Sequence, residues 1–153
     1  MKKFAINGFG RIGRLAFRVW FEKHQQKLSL VAINTSGSMN IADWVHLIKH
    51  DTVYGSFTEK ISFKETQKAS DVSDENPEIG FLKVGEHKIT VTAQKDPAKL
   101  PWKKYEIDLV LESTGKFNKP EKAKAHLSAG AKKVLLSAPA KSDKKNEVST
   151  SVI

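Results

Sequence analysis

Residues 3–20 read KFAINGFGRIGRLAFRVW, which is a short apolar run, a glycine-rich turn and a segment with helical periodicity. Residues 28–34 read LSLVAIN, an apolar run that is too short for such a helix and typical of a buried strand. Parallel strands joined by a helix nearly always cross over in the right-handed sense, so we predict a right-handed βαβ unit. Its helix is expected to bury one stripe of side chains: Ile12, Leu15, Ala16, Val19 and Trp20.

The glycines of the turn, Gly8, Gly10 and Gly13, have the GxGxxG spacing of a dinucleotide-binding turn. In such a turn the first glycine permits a tight bend, and the second lets the backbone approach a pyrophosphate. The third lets the helix pack closely on the strand. Free N–H groups at the helix start supply donors for phosphate, and Arg11 can add a charge-assisted hydrogen bond. An ordinary strand-to-helix turn is the alternative.

The end of the second predicted strand bears on the choice of cofactor. The dinucleotide-binding pattern calls for an acid about twenty residues after the glycines, which accepts hydrogen bonds from the adenosine ribose. Residues 34–37 read NTSG and include no acid. A carboxylate would repel a ribose 2′-phosphate, whereas the hydroxyls of Thr35 and Ser36 can donate to either form. We therefore expect NADP, or both NADP and NAD, in preference to NAD alone. The alternative is that these residues cap the next helix.

The rest of the chain continues the alternation of strands and helices. Further elements are predicted in this order: a helix over residues 40–50, hairpin strands over 81–84 and 88–92, a strand over 107–111, a helix from an Asn118 cap to Gly130, and strands over 134–138 and 148–153. This order predicts an α/β fold of the Rossmann type, with one domain over residues 1–153. Its sheet is doubly wound and mostly parallel, with a small antiparallel hairpin insertion.

Small polar residues follow the two later strands of the predicted parallel sheet. In such a sheet the carboxyl ends of the strands around the topological switch point form the ligand crevice. Ser113, Thr114, Gly115 and Ser137 are therefore in position to line a cofactor site. The alternative is that they serve turn formation alone.

Composition narrows the class of protein. The chain has 153 residues, of which 39% are hydrophobic and 28% charged, as is typical of a soluble globular domain. It contains no cysteine, which excludes a disulfide, a thiolate zinc site and a cysteine nucleophile within this sequence. No apolar run is long enough to span a membrane and no signal peptide follows Met1, so we expect a cytoplasmic location.

The net charge of +9 comes mainly from lysines that are scattered over the chain. Nucleic-acid binders usually cluster their cations, so we expect no specific nucleic-acid partner. Salt-sensitive RNA binding through the same cleft is the alternative. The field also favours a small anionic ligand. Arg14 and Arg18 are expected on the solvated side of the first helix.

The histidines indicate no metal site. Asp43, His46 and His50 can share one helix face, but no further ligand is apparent, so we expect a half-exposed surface there. The remaining histidines are isolated in the sequence: His24, His87 and His126.

Six ordered motifs make the chain recognisable as a relative of known proteins. They are NGFGRIGR at residues 7–14, VAIN at 31–34, HLIKHDTVYG at 46–55, QKDP at 94–97, ESTGKF at 112–117 and LSAPA at 136–140. Over nearly its whole length the chain resembles the amino-terminal NAD(P)-binding domain of the glyceraldehyde-3-phosphate dehydrogenase family. Six ordered motifs are far more specific than the glycine pattern alone.

The resemblance implies a set of cofactor-binding residues. Those of the first turn hold the pyrophosphate: Gly8, Gly10, Arg11, Ile12 and Gly13. Those at the later strand ends line the nicotinamide side: Ser113, Thr114, Gly115 and Ser137. Further positions within the matched motifs complete the set: Phe9, Asn34 and Phe117. Two positions depart from the usual pattern. Thr35 stands where NAD-specific members have an acid, as in relatives that use NADP, and Lys95 stands where an arginine commonly lies near the adenine.

The resemblance also implies what this sequence does not contain. In the family, a catalytic cysteine follows shortly after the last matched strand, and a histidine farther on acts as a base. A second domain binds phosphates and makes most contacts of a homotetramer. We therefore expect a chain that is truncated before the catalytic domain and is inactive alone. It would associate through an exposed edge at residues 148–153. The alternative is a non-catalytic dinucleotide-binding module.

Overall fold

A computed structural model describes residues 1–117 and 119–139. The predicted Asn118 cap and the predicted strand over 148–153 lie outside the described residues. Within those residues the strands are β1 (Lys2–Asn7), β2 (Leu28–Asn34), β3 (His50–Asp51), β4 (Gly55–Ser56), β5 (Ile61–Glu65), β6 (Glu78–Val84), β7 (His87–Thr92), β8 (Leu109–Glu112) and β9 (Lys133–Leu136). The helices are α1 (Arg11–Val19), α2 (Ile41–Lys49), α3 (Trp102–Tyr105) and α4 (Pro120–Ser128), with a π-helical turn at Trp20–His24 and 3₁₀ turns at Ala69–Asp71 and Pro97–Lys99.

The described residues form one main sheet with the strand order β5-β6-β7-β2-β1-β8-β9. β1 lies near its centre and pairs in parallel with β2 on one side and with β8 on the other. The pairs β2–β7 and β8–β9 are also parallel. The winding direction therefore reverses at β1, which places the carboxyl ends of β1 and β8 at a topological switch point. The predicted Rossmann-type fold is confirmed.

The predicted antiparallel hairpin is also confirmed, and it belongs to the main sheet. β6 pairs antiparallel with β7, and β5 adds a further antiparallel strand. β7 joins this unit to the parallel strands, since Thr90 lies opposite Ala32 of β2. β5 was not predicted from the sequence. Of its side chains only that of Ile61 is buried, so the strand lacks the apolar alternation that would reveal it.

Successive side chains of the central strands enter two cores, one on each face of the sheet. Phe4 and Ile6 of β1 belong to a large, aromatic-rich core that includes side chains of α1 and α2. Ala5, between them, lies opposite Ala32 and belongs to a second core with the fully buried Trp102 of α3. Helices therefore cover both faces of the sheet, as a doubly wound fold requires.

The buried face of α1 differs from the predicted stripe. Trp20 is buried as expected, but Ile12 is 52% exposed and Val19 is 37% exposed, whereas Gly13 and Phe17 are buried. The cause is steric. A Cβ atom on Gly13 would lie 2.1 Å from the carbonyl oxygen of the turn's first glycine, so α1 approaches β1 through its glycine-bearing side. Hydropathy spacing does not detect this approach, because glycine has no side chain.

The predicted start of α2 agrees with local geometry, whereas α4 has Lys119 as its N-cap, one residue after the predicted position. The Asn40 side chain accepts a hydrogen bond from the first turn of α2 and caps that helix, so Thr35 and Ser36 do not. Pro120 lies in the first turn of α4, and Gly130, with a φ of 105°, follows the end of this helix.

Arg18 contradicts the prediction of a solvated side chain, since only 5% of it is exposed. Its guanidinium donates to the carbonyl oxygens of Ile48 at 2.5 and 3.1 Å, Tyr54 at 3.3 Å and Gly55 at 2.8 Å. It also lies 5.7 Å from the centre of the Phe57 ring. The five N–H groups of an arginine suit such a set of carbonyls. Arg18 therefore ties α1 to the end of α2 and to the turn between β3 and β4.

We predict that Arg18→Met lowers the free energy of unfolding by about 2–4 kcal/mol, because three carbonyl groups lose their charged donor. Urea unfolding followed by circular dichroism measures the change. Arg11→Met is the matched control, since Arg11 is exposed on the same helix and its loss should cost less than about 0.5 kcal/mol. Equal stability of the two variants would contradict the structural role assigned to Arg18.

Candidate functional site

The turn between β1 and α1 packs against the turn that follows β8. Gly8 has a φ of 95°, and its N–H donates to the carbonyl oxygen of Asn34 at 3.0 Å. A Cβ atom on Gly8 would lie 2.7 Å from two atoms of Thr114. The Ser113 hydroxyl donates to the Gly8 carbonyl oxygen at 2.8 Å. The first glycine is therefore required both by its backbone conformation and by close contact with the second turn.

The start of α1 has the features of an anion-binding cradle. Apart from Gly10 and its two chain neighbours, no described residue has an atom within 4 Å of the place where a Cβ on Gly10 would stand. The first hydrogen bond of the helix runs from the N–H of Arg14 to the carbonyl oxygen of Gly10 at 3.0 Å. The N–H groups of Arg11, Ile12 and Gly13 therefore have no partners within the helix. The first turn contains no acid, so nothing there opposes the positive end of the helix dipole.

Phe9 and Arg14 fix the outer part of this turn. The Phe9 ring is buried and packs edge-on against Phe17, with ring centres 6.1 Å apart, and against Trp44 at 5.8 Å. The guanidinium of Arg14 donates to the Phe9 carbonyl oxygen at 3.2 Å. Arg14 is half-buried, which corrects the prediction of a solvated side chain. The Phe9 side chain therefore anchors the turn in the core.

Asn34, at the end of β2, has all its side-chain hydrogen-bonding groups in use. Its Nδ2 donates to Asn7 Oδ1 at 2.7 Å and to the Gln94 carbonyl oxygen at 2.9 Å. Its Oδ1 accepts from the Gln94 N–H at 2.9 Å and from the Thr92 hydroxyl at 2.8 Å. Asn34 therefore joins the carboxyl ends of β1, β2 and β7.

Thr35 lies directly after β2 and is 2% exposed. Its hydroxyl donates to the Thr92 carbonyl oxygen at 3.1 Å, so this hydrogen is not free for a ribose. The exposed hydroxyls of this turn belong to Ser36 and Ser38, whose oxygens lie 2.7 Å apart. Lys95 is exposed on the loop after β7. The turn presents hydroxyl groups and no carboxylate, as the sequence indicates.

A buried polar network lies beneath the ends of β1 and β8. Glu112 Oε2 accepts from Asn7 Nδ2 at 2.5 Å and lies 2.9 Å from Nε2 of His126, while Nδ1 of His126 accepts from the Trp102 indole N–H at 2.9 Å. These four side chains are 2% exposed or less. His126 is therefore not isolated in the fold. This network was not predicted from the sequence; the available signal was that Asn7 and Glu112 are polar residues at the ends of apolar strands.

Glu112 also holds the turn that follows β8. Its Oε1 accepts hydrogen bonds from the Thr114 N–H, at 2.8 Å, and from the Thr114 hydroxyl. Burial by itself would raise the pKa of Glu112, but the hydrogen bonds from His126, Thr114 and Asn7 outweigh it and lower the pKa below its ordinary value of 4.5. The side chain is therefore a buried carboxylate at neutral pH.

The other sequence-predicted residues of this side surround the same turn. Gly115 is exposed, with a φ of 73°, and Phe117 is half-buried with its ring 6.5 Å from that of His126. Ser137 is exposed after β9, and its N–H donates to the Glu112 carbonyl oxygen at 3.0 Å. The structure thus groups these residues with Ser113 and Thr114 at the carboxyl ends of β1, β8 and β9, while Lys95 and Thr35 lie at the β2–β7 side.

Within residues 1–117 and 119–139, no group of three or more His, Cys, Asp or Glu side chains could hold a metal ion. The rings of His46 and His50 lie 4.7 Å apart at the end of α2, where both residues are exposed. No helix in these ranges is long and apolar enough to cross a membrane.

Comparisons with known proteins agree with the fold and with the family resemblance. Residues 2–120 match the family model for the NAD-binding domain of glyceraldehyde-3-phosphate dehydrogenase. Glyceraldehyde-3-phosphate dehydrogenase of Thermotoga maritima is 42% identical over 94% of this chain and 38% of its own length. Glyceraldehyde-3-phosphate dehydrogenase 2 of Bacillus subtilis is 43% identical over 92% and 36%, and the Zymomonas mobilis enzyme is 45% identical over 92% and 37%. The chain thus spans less than two fifths of the length of these relatives.

Glu112 makes a pH-dependent contribution to stability whose sign follows from its lowered pKa. A carboxyl group with a lowered folded-state pKa stabilises the fold above its unfolded pKa, about 4.5, and loses that contribution as the pH falls through the folded pKa. We predict that Glu112→Gln costs about 2–4 kcal/mol near pH 7 and that the difference from wild type shrinks below about pH 4.

Urea unfolding at several pH values tests this prediction. Glu59→Gln removes an exposed carboxyl group and is the control, with an expected cost below about 0.5 kcal/mol. A difference between wild type and Glu112→Gln that stays constant down to about pH 3 would count against a buried, ionised Glu112.

Proposed function

Because this chain belongs to the glyceraldehyde-3-phosphate dehydrogenase family, with the NAD-binding domain of that family over residues 2–120, we propose that it binds a nicotinamide dinucleotide across the carboxyl ends of β1 and β8. The pyrophosphate lies on the turn between β1 and α1. The dinucleotide, when bound, supplies the acceptor for a hydride. The residues of this chain bind it and set its orientation.

The observation that carries the proposal is the open cradle at Gly10. The other two glycines of the turn touch protein atoms, and a Cβ on either would lie less than 3 Å from a neighbouring atom. Only Gly10 faces space that is free of the described residues, next to the N–H groups at the start of α1. A pyrophosphate fits such a place because it offers several acceptor oxygens and negative charge. The exposed Arg11 can add a charge-assisted hydrogen bond.

The two halves of the dinucleotide extend from this turn in opposite directions along the strand ends. The adenosine half lies toward the β2–β7 side, near Thr35, Ser36 and Lys95. The nicotinamide half lies toward the β8–β9 side, and its lining residues are Ser113, Thr114, Gly115, Phe117 and Ser137. This orientation is supported by the match of these positions to the family motifs and by their grouping at the two sides of the turn.

Both NAD and NADP are acceptable cofactors for this arrangement. The turn after β2 presents the neutral Ser36 and contains no carboxylate, so nothing on it repels a 2′-phosphate. Lys95 is exposed on the loop after β7. The net charge of +9 favours the more anionic cofactor at long range. We therefore propose dual use of the two cofactors.

The complete dehydrogenase reaction needs more than these 153 residues. The sequence contains no cysteine, so it offers no thiolate to attack an aldehyde. We propose that the chain supplies cofactor binding for an aldehyde oxidation whose nucleophile and base lie outside this sequence. Dehydrogenase activity of the chain alone is not expected.

Two further expectations stay predictions. The first is association through the edge at residues 148–153, which lie outside the described residues. The second is the homotetramer expected from full-length relatives. A cytoplasmic location is likewise an expectation from the sequence.

We predict that Gly10→Ala lowers the affinity for NAD at least about tenfold without changing the melting temperature, because the new methyl group fills the cradle and touches no protein atom. Gly13→Ala is the matched comparison. It should lose both stability and binding, since its Cβ would lie 2.1 Å from a carbonyl oxygen. Isothermal titration calorimetry and thermal melts measure the two properties. NAD binding by Gly10→Ala at wild-type affinity would refute the placement of the pyrophosphate.

We predict that Ser36→Asp weakens NADP binding by about tenfold and changes NAD binding little. An exposed carboxylate about 4 Å from a 2′-phosphate adds roughly 1 kcal/mol of repulsion per charge pair. Titrating NAD and NADP separately into wild type and into Ser36→Asp tests this location of the ribose. Ser62→Asp, which adds the same charge to the exposed side of β5, is the control. Equal losses for NAD and NADP would contradict this location of the ribose.

A further inference from the structure

A cavity of about 230 Å³ opens beside the turn that follows β2. Residues 37–40 of that turn form one side of the cavity, and residues 67–70 form the other. The second side belongs to the β5–β6 loop, which comprises residues 66–77. Glu65 and Ile79 complete the lining. None of these residues belongs to the proposed pyrophosphate cradle.

The order of the strands places the β5–β6 loop at the cofactor edge of the sheet. β5 runs antiparallel to β6, β6 runs antiparallel to β7, and β7 runs parallel to β2. The loop that joins β5 to β6 therefore lies at the edge where β2 and β7 end. Two hydrogen bonds hold it there. The Ala93 N–H donates to the Pro77 carbonyl oxygen at 2.9 Å, and Gln94 Nε2 donates to Asp74 Oδ1 at 3.1 Å.

The end of β2 connects the pyrophosphate cradle to this cavity. The Gly8 N–H donates to the carbonyl oxygen of Asn34, the last residue of β2, at 3.0 Å. In dinucleotide-binding folds the residues that follow this strand contact the 2′ position of the adenosine ribose. The Thr35 hydroxyl is bonded to a carbonyl oxygen of β7, so Ser36 has the first exposed hydroxyl after β2. Its oxygen lies 2.7 Å from that of Ser38, which lines the cavity.

The lining of the cavity includes one cation, Lys68, and one carboxylate, Glu65. Glu65 Oε1 accepts a hydrogen bond from the Ile41 N–H at 2.6 Å, at the start of α2, where the helix dipole offsets part of its negative charge. Among residues 1–117 and 119–139, the Lys68 ammonium has neither a hydrogen bond nor an ion pair. The carboxylate is therefore already engaged, whereas the lysine has its three donors available.

The loop next to Lys68 is held by its own hydrogen bonds. Gln67 Nε2 donates to the carbonyl oxygens of Asn76, at 3.0 Å, and Glu78, at 2.6 Å. A Cβ atom on Gly37 would lie 3.5 Å from the Cβ of Ala69, so the loop is in contact with the turn after β2. Lys68 lies between Gln67 and Ala69 and is therefore carried by fixed backbone on the side of the cavity.

Size and charge together indicate the occupant. Pockets that hold a whole drug-sized ligand have volumes of about 300–1,000 Å³, so this cavity suits a single group of a larger ligand. A lysine and two hydroxyl groups suit a phosphate, which offers negative charge and several acceptor oxygens. We propose that the cavity receives the 2′-phosphate of NADP and that Lys68 is the specificity-determining residue that binds it. This inference rests on the proposed function, in which the adenosine ribose lies at the end of β2.

Lys68→Met tests the assignment, because NAD and NADP differ only in the 2′-phosphate. We expect NADP to bind about tenfold more weakly to this variant and NAD to bind within about twofold of wild type, as measured by isothermal titration calorimetry. Lys68→Arg keeps the charge and should bind NADP within about threefold of wild type. Lys83→Met is the matched control, since it removes the same charge from an exposed position of β6 outside the cavity.

Glu65→Gln should change the affinity for NADP in the opposite direction. The substitution removes the one negative charge of the lining, and the amide oxygen of glutamine can still accept from the Ile41 N–H. We expect NADP to bind about twofold to threefold more tightly and NAD to bind as it does to wild type. An unchanged or lower affinity for NADP would contradict this location of the phosphate.

The titrations separate this inference from the proposed function. Equal weakening of NAD and NADP by Lys68→Met, or no weakening of NADP, would overturn the role of Lys68. Wild type that binds NAD but not NADP would also overturn it, while the proposed dinucleotide site would stand. Wild type that binds neither dinucleotide would overturn the proposed function itself.

Nuclear magnetic resonance of the wild-type chain gives a second measurement that needs no variant. NADP should shift the amide resonances of Lys68 and Ala69 clearly more than NAD does, because only NADP places a phosphate beside them. The amide of Lys83 should respond alike to both ligands. Equal shifts of the Lys68 and Ala69 amides with NAD and NADP would overturn the inference even if Lys68→Met does not fold.

Discussion

The buried carboxylate of Glu112 is the constraint on which the functional end of the sheet depends. A carboxylate removed from water is costly unless donors replace its hydration, and here β1, α4 and the turn after β8 supply four of them. The residues that carry these donors cannot move independently without leaving a buried charge unpaired. The ends of β1 and β8 therefore keep one relative position, and Gly8 is packed against Thr114 in consequence.

The proposed binding surface differs from this network in its hydrogen bonding. Beneath the strand ends, Asn34 and Glu112 have their polar atoms bonded within the protein. At the start of α1, above Gly10, the first-turn N–H groups have no partners within the helix. A rigid, internally bonded base with free donors above it suits the binding of an anionic ligand, because the donors are already oriented before the ligand arrives.

The three arginines of the chain all belong to α1 and have different surroundings. Arg11 is exposed beside the cradle, Arg14 is bonded back to Phe9, and Arg18 is buried among carbonyl oxygens. The numerous lysines supply most of the net charge of +9. Arginine occurs here where several carbonyl groups must be bonded at once or a phosphate can be approached, in accordance with its rigid set of donors.

Local sequence patterns were sufficient for the parallel strands, the hairpin, the three longer helices and the first turn, because strand and helix periodicities and the glycine spacing depend on residues close together in the chain. They predicted β1, α1, β2 and the hairpin. They did not predict the buried face of α1, the burial of Arg18, or the bonds of Glu112. Asn7 and Glu112 are 105 residues apart, and His126 is 119 residues from Asn7. Only the strand order, which places β8 beside β1, brings these groups together, and a periodicity read along one segment contains no information about that order.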